Sequence, residues 1–172
     1  PSSAASDVYK RQVIMNDIRI GFGYDFHKLI EGDSLKLADV RIKSDYTVCA
    51  HSDGDIVLHA LSDSIYGAIA NGDIGTHFPS NDKNLNIRSS DILSHAHKML
   101  EASDYHISNV DITIVLEKPR LQDFILKMRE NISRLISLDI DRISIKSSTS
   151  QKIGLIGNNQ AIACYSSILV KK

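Results

Sequence analysis

The sequence predicts an α/β protein of two layers, with a β-sheet on one side and helices on the other. Apolar residues recur at every second position in several short segments and at helical spacing in three longer ones. These segments alternate along the chain without a linker or a repeat, which is the pattern of one layered domain. With 172 residues, 42% of them hydrophobic, the chain is long enough to bury a sizeable core.

The first strands are short and alternate in polarity. IRIGFG, residues 18–23, places Ile18, Ile20 and Phe22 on one side of a strand. LKLADVRIKS, residues 35–44, predicts a short hairpin with its turn near Asp39.

Three segments predict helices. The first runs from about Ser52, as the N-cap, to Ala70, and Asp55 stands three residues after the cap as in a capping box. A loop then leads to a second helix that starts near Ser90. The third spans 121–136, where apolar residues recur at helical spacing.

Three more segments predict strands, namely NVDITIVLE (109–117), RISIKSS (142–148) and AIACYSSILV (161–170). The helices cover one face of such a sheet. Strand residues that include Ile, Val and Cys are left for the other face, so we expect subunits to associate through it.

Charge and cysteine content exclude several classes of partner. A net charge of -1 argues against a nucleic-acid or acidic-membrane surface, and only two cysteines occur, without CxxC spacing, which favours a reducing cytosolic setting. Apolar runs stay below the roughly 18 residues of a membrane span.

We interpret residues 1–14 as a disordered or artificial leader without a recognised targeting segment, and Met15 as a plausible natural start. Residues 15–172 are interpreted as one domain.

One aspartate and two histidines form a candidate metal site. Asp25 and His27 stand two apart on an extended segment and therefore point the same way. His59, in the second turn of the first helix, would complete a set of three ligands that leaves a tetrahedral position open, as catalytic zinc sites do. Asp55 or Asp63 could orient the His59 ring. The alternative is that these polar residues only satisfy each other at a strand end.

The segments around the first helix suit an anionic or polyol ligand. His51 and Ser52 stand at its predicted N-terminus, where unpaired N–H groups and the helix dipole favour phosphate. GDIGTHFPSND, residues 72–82, adds glycines and the carboxylates of Asp73 and Asp82. Alternatively, the glycines only cap and turn the chain, and Asp82 is merely solvated.

Three segments resemble the family of 2-C-methyl-D-erythritol 2,4-cyclodiphosphate synthases of the non-mevalonate isoprenoid pathway. They are RIGFGYDFHKL (19–29), AHSDGDIVLHALSDSIYGAIANGDIGTHFP (50–79) and KSSTSQKIG (146–154), and the match extends from about Ile18 to Val170. The resemblance implies a mixed four-stranded sheet with a short hairpin and three helices on one face. It also implies a homotrimer assembled around the sheets, with active sites between subunits.

The resemblance also implies a reaction. The 2-phosphate of a cytidine diphosphate ester of methylerythritol attacks the β-phosphorus, expels CMP and leaves a cyclic diphosphate. Zn2+ would bind Asp25, His27 and His59, and Mg2+ or Mn2+ would bridge the substrate diphosphate. For such an enzyme we expect a bacterial cytoplasm or a plastid-type organelle.

Residue roles follow from the same resemblance. His51 and Thr149 match the residues that stabilise the transition state, and Gln151 stands where the family has a glutamate for the second divalent ion. The other positions that match substrate contacts are Ser52, Asp73, Ile74, Gly75, Phe78, Pro79, Ser80, Asn81, Asp82, Leu116, Glu117, Lys118, Pro119, Arg120, Leu121, Gln122, Ser148, Ser150, Leu155 and Asn158.

The chain departs from the family pattern at several positions. Gln151 brings no charge to a divalent ion, which predicts weaker Mg2+ retention. Phe22 replaces a histidine, Ser80 replaces an aspartate, and Asn158 and Gln160 replace charged residues near the threefold channel. Two other classes stay open: a zinc phosphohydrolase that uses water in the open metal position, and a non-catalytic trimeric binding protein, which Gln151 suggests.

Overall fold

The computed structural model of the chain describes residues 17–79, 81 and 84–172. The predicted leader, residues 1–14, lies outside them. The described strands are β1 (Ile18–Glu31), β2 (Ser34–Leu37), β3 (Val40–Lys43), β4 (Tyr46–Val48), β5 (His106–Val115), β6 (Ile143–Ser148) and β7 (Ala161–Lys171). The described helices are α1 (Ile56–Ala68), α2 (Ile74–His77), α3 (Ser89–Ala102), α4 (Ile125–Ile136) and α5 (Gly154–Gly157), with 3-10 turns at Gln122–Phe124 and Ile140–Arg142.

The main sheet is mixed, in the order β4-β1-β7-β5-β6. Neighbouring strands are antiparallel except β5 and β6, which run parallel. The described sheet thus has five strands where four were predicted. The additional strand is β4, which pairs three residues with the end of β1 and is too short to show a period in the sequence.

The predicted hairpin is confirmed as the pair β2 and β3. Its turn residues Ala38 and Asp39 have φ values of +50° and +59°, which is the left-handed geometry that two-residue hairpins favour. Their backbone N–H groups donate to the carboxylate of Asp55, at 2.9 and 2.6 Å. Asp55 therefore ties the hairpin to the start of α1.

Helix α1 begins later than predicted. Its N-cap is Asp55, whose side chain accepts from Leu58 N at 3.2 Å, and the prediction of Ser52 as the cap is wrong. The reason is Gly54, whose φ of +75° is incompatible with a helix continuing back to Ser52. Helix α3 starts at Ser89, within one residue of the prediction, and the segment predicted as a loop before it contains the one-turn helix α2.

Two glycines allow α1 to lie directly on β1. A Cβ atom on Gly21 would stand 1.8 Å from the Ser64 carbonyl oxygen, and one on Gly23 would stand 1.9 Å from the Ala60 carbonyl oxygen. Because only glycine fits so close to a helix backbone, this pair sets the separation of helix and strand. His59 is next to Ala60, so the close approach brings its side chain to β1.

The helices pack on one face of the sheet and leave the other open. Helix α1 packs on β1 and β7, α3 packs on α1, and α4 packs on β6. The predicted alternation of Ile18, Ile20 and Phe22 is confirmed, and they lie on the open face, where Ile20 is 74% and Phe22 61% exposed. The predicted place of a cysteine on that face is wrong. Cys164 is buried because it pairs with Asp25 on the helix side.

The open face is aromatic as well as aliphatic. Tyr24 lies 5.1 Å from Tyr165, centroid to centroid, and 6.4 Å from Phe26. Contiguous exposed apolar surface of this kind marks an interaction site in globular proteins. Within the described residues, no helix combines the length and the apolar character needed to cross a membrane.

Candidate active site

The structure brings Asp25, His27 and His59 together, as their spacing predicted. Asp25 and His27 lie on the helix-facing side of β1, and His59 projects from α1. Asp25 Oδ1 is 2.8 Å from His27 Nδ1, and Asp25 Oδ2 is 3.1 Å from His59 Nδ1. One ligand atom from each residue lies within 4.8 Å of the others, so the three can close on a single cation.

The electrostatics of this triad keep its carboxylate ionised. Burial pushes the pKa of Asp25 up, but the contacts with His27 and His59 outweigh it and the pKa is lowered overall. The same contact with Asp25 raises the pKa of His27. The triad therefore keeps a carboxylate charge in a site that is largely removed from water.

One atom of the triad is short of a partner. His27 Nδ1 is buried and close to Asp25, yet no described group is aligned to hydrogen-bond with it. Such an atom carries a desolvation cost that a bound ion would remove. Two imidazole nitrogens and one carboxylate oxygen also match the donor set of catalytic zinc sites with an open position. The residues present therefore fit a zinc ion.

The second nitrogen of His59 meets hydroxyls and not carboxylates. His59 Nε2 is 3.0 Å from Ser89 Oγ and 3.3 Å from Ser52 Oγ. The prediction that Asp55 or Asp63 orients this ring is wrong. Asp55 caps α1, and Asp63 accepts from Ile74 N at 2.8 Å, so both carboxylates are directed to backbone N–H groups. Sequence reasoning missed Ser89 because it lies 30 positions from His59.

His51 and Ser52 lie in the bend before α1 and not at its N-terminus. The prediction that they stand at the N-terminus of that helix is therefore wrong, because Asp55 is its N-cap. Phosphate binding by the two residues stays a prediction. His51 is exposed, with Nε2 3.2 Å from the Asn81 carbonyl oxygen. Ser52 Oγ accepts from Gly54 N at 3.1 Å. Ser52 nevertheless borders the triad, because its Oγ lies 3.3 Å from His59 Nε2.

The predicted polyol segment begins at α2. Asp73 caps this helix through Oδ1, which accepts from Thr76 N and Thr76 Oγ1, both at 2.8 Å. Gly72, with φ of +73°, makes the turn that precedes it. Phe78 then packs edge-on against the His95 ring, with centroids 5.2 Å apart. Ser80 and Asp82 lie outside the described residues.

A cluster of aromatic and histidine rings anchors α2 to the body of the domain. His77 stacks on Tyr66, with ring centroids 4.4 Å apart. The Tyr66 hydroxyl lies 2.7 Å from His95 Nδ1. These contacts fix the segment that carries Ile74, Gly75, Phe78 and Pro79.

A separate cavity of about 280 Å³ lies where the parallel strands β5 and β6 end. Its lining comprises Leu116, Glu117, Pro119, Arg120, Leu121, Gln122, Ser147, Ser148 and Thr149. The side chains of Leu116 and Leu121 are buried in the core, whereas Lys118 and Arg120 are exposed. Most of the predicted cytidine and diphosphate segments thus form one cavity.

Glu117 organises the loop on the far wall of this cavity. Its Oε1 accepts from Ser150 N at 2.9 Å, from Ser150 Oγ at 3.1 Å and from Lys152 N at 3.1 Å. These bonds, led by the one from Lys152 N, lower the pKa of Glu117. The carboxylate therefore holds the chain that presents Thr149 to the cavity.

Gln151 is directed at Thr149. Gln151 Nε2 donates to Thr149 Oγ1 at 3.1 Å, and the backbone at Gln151 is left-handed with φ of +55°. Leu155 and Asn158 lie farther along, in α5 and at its C-cap. Leu155 lines a different cavity of about 580 Å³ with Phe26, Lys28, Leu29, Gln160 and Ala161.

Comparisons with known proteins agree on one family. The model of the YgbB family matches residues 18–171. The 2-C-methyl-D-erythritol 2,4-cyclodiphosphate synthase of Brachyspira hyodysenteriae is 46% identical over 156 residues, which cover 90% of this chain and 99% of that protein.

Solved structures give the same result. The CDP complex of Plasmodium falciparum IspF superposes with a TM-score of 0.80 at 39% identity, over 91% of this chain and 97% of that one. The bifunctional IspDF of Campylobacter jejuni gives a TM-score of 0.87 at 36% identity, over 91% of this chain but only 42% of that larger one. The chain therefore belongs to the YgbB family, the family of the 2-C-methyl-D-erythritol 2,4-cyclodiphosphate synthases that it matches.

Proposed function

We propose that the chain converts 4-diphosphocytidyl-2-C-methyl-D-erythritol 2-phosphate into 2-C-methyl-D-erythritol 2,4-cyclodiphosphate and CMP. This is a lyase reaction of the non-mevalonate isoprenoid pathway. The observation that carries the proposal is the convergence of Asp25, His27 and His59 in a chain that is 46% identical to a synthase of that name.

The proposed reaction brings two negatively charged phosphates together and therefore needs groups that neutralise their charge. One phosphate must attack another, so catalysis consists mainly of positioning and of neutralising negative charge. Zinc bound by Asp25, His27 and His59 would supply a Lewis acid for the β-phosphate. Ser52 borders the triad and is suited to bind a phosphate oxygen, while the exposed His51 ring would donate to charge that develops in the transition state.

Thr149 would also stabilise the negative charge that develops on the phosphates in the transition state, from the side of the cavity. Its Oγ1 lies 3.1 Å from Gln151 Nε2 and 3.3 Å from Gln151 N, and both of these groups are donors. A hydroxyl that accepts two hydrogen bonds still has its own O–H to donate. That O–H is then available to a phosphate oxygen of the substrate in the cavity.

We assign the cytidine and diphosphate to the segments Leu116 to Gln122 and Ser148 to Gln151, which contribute most of the cavity lining. We assign the methylerythritol to Asp73, Ile74, Gly75 and the segment Phe78 to Asp82. Exposed Arg120 suits the diphosphate charge. Mg2+ or Mn2+ would bridge the diphosphate, with the Gln151 carboxamide oxygen as a weak ligand. Leu155 and Asn158 would make outer contacts with the substrate.

We further propose that the enzyme is a homotrimer with active sites between subunits. Two strands, β7 and β5, separate β1 from β6, and the cavity shares none of its lining with the triad. A neighbouring subunit would bring its cavity against the triad of this one. The open apolar face around Ile20, Phe22 and Tyr24 would supply the buried contact between subunits.

A reducing compartment such as the cytoplasm suits this enzyme. Both cysteines, which lie in the described part of the chain, are free thiols, and Cys49 is exposed. An exposed thiol of this kind persists where disulfides do not form.

Phosphorus NMR of the purified protein with the cytidylyl substrate, Zn2+ and Mg2+ tests the proposal. We expect CMP and a cyclic diphosphate to appear together. Linear phosphate products would identify a phosphohydrolase instead. Bound zinc without turnover, measured by metal analysis on the same sample, would indicate a binding protein.

A further inference from the structure

A continuous chain of polar contacts extends behind His59, away from the triad. Ser89 is 0% exposed, and its Oγ lies 3.0 Å from His59 Nε2. The Ser89 hydroxyl donates to the Asp53 carboxylate, and Ser89 N donates to the same oxygen at 3.1 Å. The other Asp53 oxygen accepts from Lys36 Nζ at 2.7 Å. The hairpin, the bend before α1 and the start of α3 thus each contribute one residue.

Which groups donate and which accept fixes the direction of each hydrogen bond in this series of contacts. A lysine ammonium only donates and a carboxylate only accepts. Burial pushes the pKa of Asp53 up, but the contacts with Lys36 and Ser89 outweigh it and the pKa is lowered, so Asp53 is ionised at neutral pH. The single hydroxyl proton of Ser89 is therefore directed to Asp53, and its lone pairs face His59 Nε2.

This direction decides which nitrogen of His59 carries the proton. A neutral imidazole has one N–H donor and one acceptor nitrogen. With a Ser89 lone pair opposite it, Nε2 is the donor. Nδ1 faces the Asp25 carboxylate at 3.1 Å, and when a cation lies between these two groups the proton on Nε2 leaves the Nδ1 lone pair free to ligate it.

Ser52 offers a weaker alternative for the same nitrogen. Its Oγ is farther away, at 3.3 Å, and already accepts from Gly54 N. Ser89, by contrast, is connected to a carboxylate and an ammonium. Second partners of metal-bound histidines are usually carboxylates or carbonyls that raise ligand basicity, and here a buried serine transmits the effect of Asp53.

We propose that Ser89 is a positioning residue, backed by Asp53 and Lys36, that holds His59 in the orientation and tautomer in which Nδ1 ligates the metal. This inference rests on the metal centre of the proposed function and deepens it. It also gives the hairpin residue Lys36 a role in a site that it does not touch.

The test compares Ser89→Ala with Ser90→Ala in the full chain. Ser90 is 6% exposed, and its Oγ has no hydrogen-bond partner among the described residues, so it is a matched control. Zn2+ affinity is measured by competition with a chromophoric chelator. We expect Ser89→Ala and Asp53→Asn each to weaken zinc binding about tenfold, the lower end of the effect of outer partners, and Ser90→Ala to leave it unchanged.

A second readout separates positioning from general destabilisation. In the zinc-loaded natural protein, the His59 Nε2–H proton is expected to be visible by NMR and to exchange slowly with water. In Ser89→Ala this exchange accelerates, while the unfolding midpoint identifies any global loss of structure. If Ser89→Ala does not fold, the same two measurements are made on Asp53→Asn, which keeps the serine.

The outcomes are distinguishable. If the natural protein binds zinc and Ser89→Ala and Asp53→Asn match it in affinity and proton exchange, the role of Ser89 is overturned and the metal centre stands. If the natural protein does not bind zinc, the metal centre itself is overturned, and the positioning role with it.

Discussion

The triad and the cavity at the ends of β5 and β6 differ in how completely one chain builds them. At the triad, Asp25 contacts both histidines, and the far nitrogen of His59 meets buried Ser89. At the cavity, Thr149 and Arg120 are exposed, and Glu117 orders the surrounding backbone. A metal site requires fixed side-chain geometry before the ion binds. A substrate-binding surface can be completed on assembly, and we propose that a neighbouring subunit completes this one.

The largest expected effect comes from removing the carboxylate at the centre of the triad. In Asp25→Ala we expect turnover to fall at least about 10³-fold, since metal Lewis acidity contributes several kcal/mol to transition-state stabilisation. Bound zinc, measured by elemental analysis, should fall with it. His106→Ala, at an exposed histidine on β5, is the control. Equal turnover in the Asp25 variant would contradict the metal centre.

The next prediction tests whether the triad of one subunit needs the cavity of a neighbouring subunit, by separating the proposed subunits. Ile20→Asp places a carboxylate on the open face, where burying it unpaired in an interface costs about 3 kcal/mol, roughly a 100-fold loss of association. Sedimentation should show monomers, with activity lost in parallel. Leu126→Asp is the matched control, at a residue of α4 that is 59% exposed. A monomer that keeps full activity would show that one chain suffices.

The rigidity of the triad depends on the contact between α1 and β1. We expect Gly23→Ala to lower the free energy of unfolding by about 2 kcal/mol, because the new methyl group meets a helix carbonyl. Gly67→Ala, at an exposed position of α1 where the nearest atom is 3.8 Å away, should instead raise stability slightly. Urea denaturation of both variants measures the difference, and equal losses would refute the close-approach argument.

The smallest effect concerns the charge at the cavity. Gln151→Glu would add an anionic oxygen for the second cation, and we expect the half-saturating Mg2+ concentration to fall about fivefold, which corresponds to roughly 1 kcal/mol. Gln160→Glu, outside the cavity, controls for net charge. Activity titrations against Mg2+ decide the matter. Superimposable curves for Gln151→Glu and the natural protein would exclude a metal role for this position.

The triad of candidate metal ligands was accessible from the sequence, whereas its supporting contacts were not. Asp25 and His27 share a face of β1 because strand side chains alternate, and His59 follows from the helical period of α1. Ser89 carries no such signal, since its approach to His59 depends on how α3 packs against α1. The N-cap was misplaced for a local reason, because the conformation of Gly54 stops the helix short of Ser52.

The sequence by itself determined the periodic elements, the pattern of candidate metal ligands and the family, because these depend on residue types at short spacing. The tertiary structure decided which side of the sheet stays open, which hydroxyl meets His59 and how near α1 lies to β1. These features depend on contacts between residues far apart in the chain. They are settled only when close packing excludes other arrangements.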